Sequence, residues 1–267
     1  MKFLYVAELV GKAGIYALKQ ALPIIKKERA VDFTLVCADG ATGGGGLGRN
    51  HAAYIHKLGA DAISTGECCF YKKDLVEHWA ALPYVLRPHN LGSPGRGIPG
   101  LGWRIFKTGG EQRAAVLVLL GSNFNRIREN NPFEGLEELL QKLRAETPQI
   151  IVDFHSWASG EKWTFFTAAD GLCSAVIGSH NRVQTADARI LPGGSAVICD
   201  AGRTGSTESV GGADIAERIN EYLTGIPNWT KEAWERPELQ GVLVETDPQG
   251  RALGIEPLRF PVTPAKI

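Results

Sequence analysis

Apolar runs of strand length alternate with helically spaced segments along this chain. Lys2-Phe3-Leu4-Tyr5-Val6-Ala7 reads as a strand delivering Glu8 to a turn at Gly11, and Ile15, Leu18, Leu22 and Ile25 then recur at helical intervals, with Pro23 predicting a kink or break. A second strand over Val31 to Ala38 ends in Asp39-Gly40. A helix through Ala52, Ile55 and Leu58 leads to a third strand at Ala60 to Thr65, followed by Gly66-Glu67-Cys68-Cys69. The β-helix-β order predicts parallel, right-handed units. Further on, Trp103 to Lys107 and Ala114 to Leu120 flank a hairpin turn predicted at 108–111, and Leu136, Leu139, Leu140 and Leu143 line one helix face. Gln149 to Phe154 predicts a strand ending at His155; Leu172 to Ile177 predicts another, with His180 on the loop beyond it. Gly194 to Cys199 predicts a further strand, Ile215 to Leu223 a helix, and Leu239 to Phe260 a closing hairpin turning at Asp247-Pro248-Gln249-Gly250. About ten strands are more than one ordinary sheet carries. The expected architecture is therefore α/β, with two stacked sheets and helices outside, in a single domain over 1–267.

Chemistry gathers where these strands end. Glu8, Asp39 and Glu67 each follow a strand, and His155 and His180 do the same. The C-terminal edge of a parallel sheet is where α/β proteins build sites. A single histidine or carboxylate in such a place is more often structural, but five together suit a metal site better than five unrelated caps. The run Thr42-Gly43-Gly44-Gly45-Gly46-Leu47-Gly48 lacks the Lys-Ser/Thr and the glycine spacing of the phosphate-binding signatures, and reads as a loop allowing close approach to the site.

Composition narrows the picture further. Lys plus Arg and Asp plus Glu number 29 each, so no global field selects nucleic acid or an anionic membrane. The longest apolar runs are too short to cross a bilayer, and the chain enters a strand pattern without a cleavable leader, which predicts a cytoplasmic protein. Five cysteines, an odd number, make no disulfide framework. Cys37, Cys173 and Cys199 read as small buried hydrophobes, while Cys68-Cys69 sits at a strand end behind Glu67.

Asp153-Phe154-His155 and Gly178-Ser179-His180, with Val183-Gln184-Thr185-Ala186-Asp187 and Arg189-Ile190-Leu191-Pro192, resemble the YmdB-like branch of the calcineurin-type metallophosphoesterases. The resemblance runs essentially end to end, through Arg87-Pro88-x-Asn90, Asn131-Pro132-Phe133, Glu161-Lys162, Asp170-Gly171 and Asp200-x-Gly202-x-Thr204-Gly205. It implies a four-layer α/β/β/α sandwich of two stacked mixed sheets, a homo-oligomer, and a dinuclear metal centre that hydrolyses phosphodiesters, cyclic nucleotides among them.

Position by position, the chain departs from that pattern. The family's strand-one Asp is Glu8, its Glu-Asn after strand two is Asp39-Gly40, and its Asn-His after strand three is Glu67-Cys68; its third histidine is Arg182. One family metal would be left with Glu8, Gly40 and Arg182, of which glycine offers no ligand and arginine is a permanent cation. Arg182 is expected to replace that ion by pairing with Glu8 and Asp39. The other metal keeps a donor at each position: Asp39, Glu67, His155 and His180. The expectation is one divalent ion per chain, iron, manganese or zinc. Arg182 would grip a phosphate, and Cys68 would stand where the family places the acid that protonates the leaving group. Cys69, His89 and Asn90 are further candidates to line the pocket, while Trp157, Trp163, Phe165 and Phe166 read as core or subunit-interface packing. Two functions fit: a metal-dependent phosphoesterase acting on a small phosphodiester or nucleotide, or a catalytically inactive ligand-sensing or scaffold protein in which Arg182 and the glycine-rich loop bind an anion.

Overall fold

A computed structural model describes residues 1–92, 97–108, 112–122, 130–227 and 231–263. Two mixed sheets stand at its centre. In the first, β1 (Lys2–Val6), β3 (Phe33–Cys37), β4 (Ala62–Ser64) and β5 (Val85–Leu86) run parallel, and β13 (Pro237–Thr246) pairs antiparallel with β1. Beyond β13 lie β12 (Arg203–Ser206) and β2 (Glu8–Leu9), and β14 (Ala252–Pro261) closes a hairpin on β13. The second sheet has the order β10 (Arg189–Ile190), β11 (Ala196–Ile198), β9 (Ala175–Ser179), β8 (Ile150–His155), β7 (Arg113–Leu120) and β6 (Trp103–Lys107), with β7, β8, β9 and β11 parallel.

Strand alternation sorts the apolar residues into layers. Phe3, Tyr5, Phe33 and Leu35 of the first sheet meet Val116, Val118, Ile151 and Ile177 of the second in one buried core between the sheets. The opposite faces turn outward. Leu4, Val6 and Val36 pack under α1 (Gly11–Arg29) and α2 (Arg49–Lys57), while Leu117, Val152 and Phe154 pack under α4 (Leu136–Glu146) and α5 (Ser159–Ala169). The result is helix, sheet, sheet, helix, as the sequence predicts.

Several details differ from the sequence reading. Helix α1 runs unbroken through Pro23, because its buried inner face, with Leu18, Leu22 and Ile25 among its side chains, holds it against the sheet despite the lost hydrogen bond. The helices α3 (Lys73–His78) and α5 and the short strands β2, β10 and β12 carry too little periodicity to be read in advance. Residues 109–111 of the predicted hairpin turn lie outside the described residues, but β6 and β7 on either side pair antiparallel as expected. No described helix is long and apolar enough to cross a membrane.

Candidate metal centre

The parallel strands β3 and β4 of one sheet and β8 and β9 of the other end on the same side of the molecule, so their loops meet over the seam between the sheets. The seam is tied directly: Ser64 at the end of β4 donates to Asp153 Oδ2 on β8 at 2.5 Å. Asp39 follows β3, the turn Gly66-Glu67-Cys68 follows β4, His155 ends β8, and His180 follows β9.

These side chains converge. Glu67, His155 and His180 offer ligand atoms within 4.8 Å of one another, and Asp39, Glu67 and Cys68 do so as a second, overlapping group. Glu67 bridges the imidazoles, meeting His155 Nε2 at short range and His180 Nδ1 at 3.2 Å. His155 Nε2 lies 3.2 Å from His180 Nδ1 and 4.0 Å from Asp39 Oδ2. Gly66 makes this approach feasible, since a Cβ there would stand 2.4 Å from His155 Nε2.

The hydrogen bonds behind His155 orient its ring. Ser179 Oγ gives its single proton to Asp153 Oδ1 at 2.7 Å, so toward His155 Nδ1, 2.8 Å away, it accepts. That places a proton on Nδ1 and aims Nε2 at Glu67 and Asp39, where it holds a proton against Glu67 in the imidazolium and offers a lone pair in the neutral ring, the outer-shell arrangement of a metal-ligating histidine. Asp39 is held by the backbone N–H groups of Gly66 at 2.5 Å and Cys68 at 3.0 Å.

The charges explain why a cation fits here. Burial and the neighbouring Glu67 carboxylate push Asp39 up to about 8. Burial works against ionised Glu67 as well, yet His155 and His180 outweigh it and hold the carboxyl below its ordinary range. His155 is pushed well above the usual imidazole range: burial pulls it down, and the charge of Glu67 with its hydrogen bonds overcomes that. Two carboxylates and two imidazoles, with Asp39, Glu67 and His155 shifted by their neighbours, form a donor set that a divalent ion would neutralise.

Arg182 occupies the adjoining position. Its Nε and Nη2 donate to Glu8 Oε1 at 3.0 and 2.6 Å, Nη2 also to Gly44 O at 3.1 Å, and Nη1 to Gly211 O at 3.1 Å. A Cβ at Gly40 would stand 2.8 Å from Nη2, so the guanidinium fills the space that the missing side chain leaves. Glu8 sits in its pocket 2% exposed, and its other oxygen, Oε2, has no partner among the described residues. Arg182 makes no direct bond to Asp39, which is occupied by the β4 loop. Both His180 and Arg182 adopt positive φ, 100° and 59°, a costly conformation for residues with a Cβ and one concentrated at functional loops.

The remaining candidates lie elsewhere. Cys68 reaches the cluster with a thiol that burial and Asp39 push far up, whereas Cys69 is fully buried in the core on the helix side of the first sheet. Asn90 is spent on structure: its amide donates to Leu120 O and Asn130 O, and its carbonyl accepts from Leu120 N. His89 lines a separate cavity with Arg87, Leu101 and Trp103. Phe165 and Phe166 are core, as expected, but Trp157 is 58% exposed and stacks on His180 with ring centroids 4.9 Å apart. Its position two residues past a strand-end histidine is the signal that could have placed it at the site.

Two stacked mixed sheets with a histidine–carboxylate cluster over their seam define a metallophosphoesterase-type fold. The chain belongs to the YmdB-like protein family, whose model matches residues 4–258. It is 34% identical over 251 residues to a 2′,3′-cyclic-nucleotide 2′-phosphodiesterase of Bacillus subtilis (strain 168), covering 93% of this chain and 92% of that one. Among solved structures, a phosphatase from Mycoplasma pneumoniae superposes with a TM-score of 0.90 at 28% identity, over 98% of this chain and 93% of its own. A hypothetical protein from Thermus thermophilus does so with a TM-score of 0.88 at 26% identity, over 98% and 99%.

Proposed function

We propose that this protein is a metal-dependent phosphodiesterase acting on a small phosphodiester, with 2′,3′-cyclic nucleotides as the substrate class, and that it holds one divalent ion, iron, manganese or zinc, per chain. The observation that carries the proposal is the convergence of Asp39, Glu67, His155 and His180 beside a guanidinium locked onto Glu8. Those four residues would hold the ion. When bound, such an ion supplies Lewis-acid polarisation of a phosphoryl group.

The chain's own residues account for the rest. Among the described residues, three of the four hydrogen bonds that Arg182's guanidinium makes run to Glu8 Oε1 and Gly44 O, the fourth to Gly211 O, which leaves one of its five N–H groups for a phosphate oxygen. Held rigidly, that donor stabilises charge developing on phosphorus-bound oxygen without reorganising. Trp157 offers an aromatic surface beside His180 for a nucleobase. Cys68 is kept as S–H, the form able to give a proton to a leaving oxygen, although its raised pKa makes it a weaker acid than an imidazole. That weakness favours the second reading, a ligand-sensing or scaffold protein without turnover. The family resemblance adds a homo-oligomeric state to the proposal.

Turnover of bis-p-nitrophenyl phosphate and of a 2′,3′-cyclic nucleotide with Mn²⁺, Fe²⁺ or Zn²⁺, set against the His155→Ala, His180→Ala double variant, tests the proposal. Activity lost in the variant, with one equivalent of metal in the parent, is the expected result. Equal rates in both proteins select the non-catalytic reading, and two equivalents of metal overturn the mononuclear site.

A further inference from the structure

On the far side of Arg182 from Glu8 lies a cavity of about 320 Å³, within the range of small-ligand sites. Among the described residues its wall carries four cations, Lys72, Arg182, Arg218 and Lys231, and a single carboxylate, Glu232. The carboxylate is committed elsewhere: it accepts from Lys12 N at 3.0 Å at the start of α1, and a Cβ at Gly11 would collide with it. Arg218 and Lys231 have partners in Glu221 at 2.6 Å and Glu217 at 3.5 Å, neither of which is among the wall residues. Lys72 has no carboxylate within ion-pair distance among the described residues, and its ammonium stands 4.0 Å from where a Cβ on Gly43 would be.

Apart from Val10, Tyr71 and Ala213, the rest of the wall is glycine backbone. Gly43, Gly44 and Gly45 form one side, with φ of 68° at Gly43 and 75° at Gly44, and a Cβ on Gly44 would meet nothing within 4 Å. Their N–H groups donate no backbone hydrogen bond among the described residues. Gly211 and Gly212, also at positive φ, form another side. Open backbone N–H groups with nearby ammonium and guanidinium groups are the chemistry of a phosphate cradle. The glycine run at residues 43–46 thereby has a use that its sequence signature did not specify. Arg182 is common to both sites, because Glu8 holds it from one side while Gly44 O and Gly211 O hold it from the cavity side.

We propose that this cavity is a subsite for a second anionic group, a terminal phosphate monoester, so that the substrate carries both the phosphodiester to be cleaved and a separate phosphate. A nucleoside 2′,3′-cyclic phosphate with a 5′-phosphate is the simplest compound of that class. The inference rests on the phosphodiesterase reading only for the identity of the nucleotide. The cradle itself is argued from its own wall.

Calorimetry on the His155→Ala, His180→Ala protein separates the two, since binding is read there without turnover. The probes are adenosine 2′,3′-cyclic phosphate, its 5′-phosphorylated form, and inorganic phosphate. The 5′-phosphorylated nucleotide should bind at least about tenfold more tightly than the unphosphorylated one, the contribution of one charge-assisted hydrogen bond. Lys72→Ala should remove most of that preference and Lys72→Glu should reverse it, while Lys72→Arg should retain it. Equal affinity for the two nucleotides, a preference unchanged in Lys72→Ala, or inorganic phosphate binding as tightly as the phosphorylated nucleotide would each overturn the subsite. If the phosphodiesterase reading fails and no substrate is turned over, the same affinity ratio still decides this inference.

Discussion

Gly40 and Arg182 are one feature written at two distant positions. The guanidinium lies where a side chain at residue 40 would go, 2.8 Å from the position of its Cβ, and its partner Glu8 is almost wholly buried. Gly40→Asn alone should therefore be destabilising by a few kcal/mol, roughly the cost of overpacking a filled site. Arg182→His alone should be destabilising by about 3 kcal/mol, because it strips a buried carboxylate of its partner. In the double variant the two changes should compensate, and metal analysis should rise from one equivalent toward two. A strictly additive double-mutant cycle with unchanged metal content would show that the pair is not what displaces the second ion.

The protonation of the donors sets a pH dependence for metal-free protein. Asp39 and His155 both titrate above their ordinary ranges in the fold, Asp39 at about 8. The stability that each contributes is complete below its unfolded pKa and is lost as pH rises through its folded one. Glu67, shifted downward, has the opposite sign and contributes above the ordinary carboxylate range. With a chelator present, the melting temperature should fall between about pH 6 and pH 9. Metal, which displaces those protons, should flatten the slope. Melting curves across that range, with and without Mn²⁺, check the sign.

At the level of elements, the loop after β9 bears the strained backbone, and a buried ion pair holds it. Lys162 on α5, wholly buried, donates to Ser179 O at 3.0 Å and to Asp200 at 3.3 Å, while Asp200 accepts from Asn181 N at 2.8 Å and from Gly202 N at 2.9 Å. Lys162→Met leaves Asp200 uncompensated and releases the peptide before His180. A stability loss of about 3 kcal/mol is expected, together with weaker metal binding, measured by denaturant titration and by competition with a chromogenic chelator. Glu161-Lys162 and Asp200 are visible as motifs in the sequence, but their meeting through α5 and β9 is not. Helix α5 hides because a lysine, Lys162, stands on the buried face with Phe165, Phe166 and Ala169, while the apolar Trp163 lies beside that face, so no clean amphipathic stripe announces it.

For the whole molecule, the core between the two sheets is what brings the two halves of the site together. Ile177 lies in that core on β9, fully buried against residues of the first sheet. Ile177→Ala should cost about 2–5 kcal/mol, read from the midpoint of chemical denaturation. A cost near zero would mean that the sheets do not depend on that layer.

What the sequence determined by itself follows from local and periodic signals. Strand runs, helix faces and the delivery of Glu8, Asp39, Glu67, His155 and His180 to strand ends are written in short stretches, because side-chain alternation and helical spacing are properties of neighbouring residues. The absence of ligand atoms at Gly40 and the permanent charge of Arg182 are likewise intrinsic to those residue types. The packing of distant elements, by contrast, makes Asn90 a backbone clasp, lays Trp157 over His180, orients His155 through Ser179 and Asp153, and gathers four cations and two glycine turns around one cavity. Those relations join residues as distant in the chain as Gly43 and Lys231, which line one cavity, and they depend on the stacking of two sheets, which no local pattern encodes.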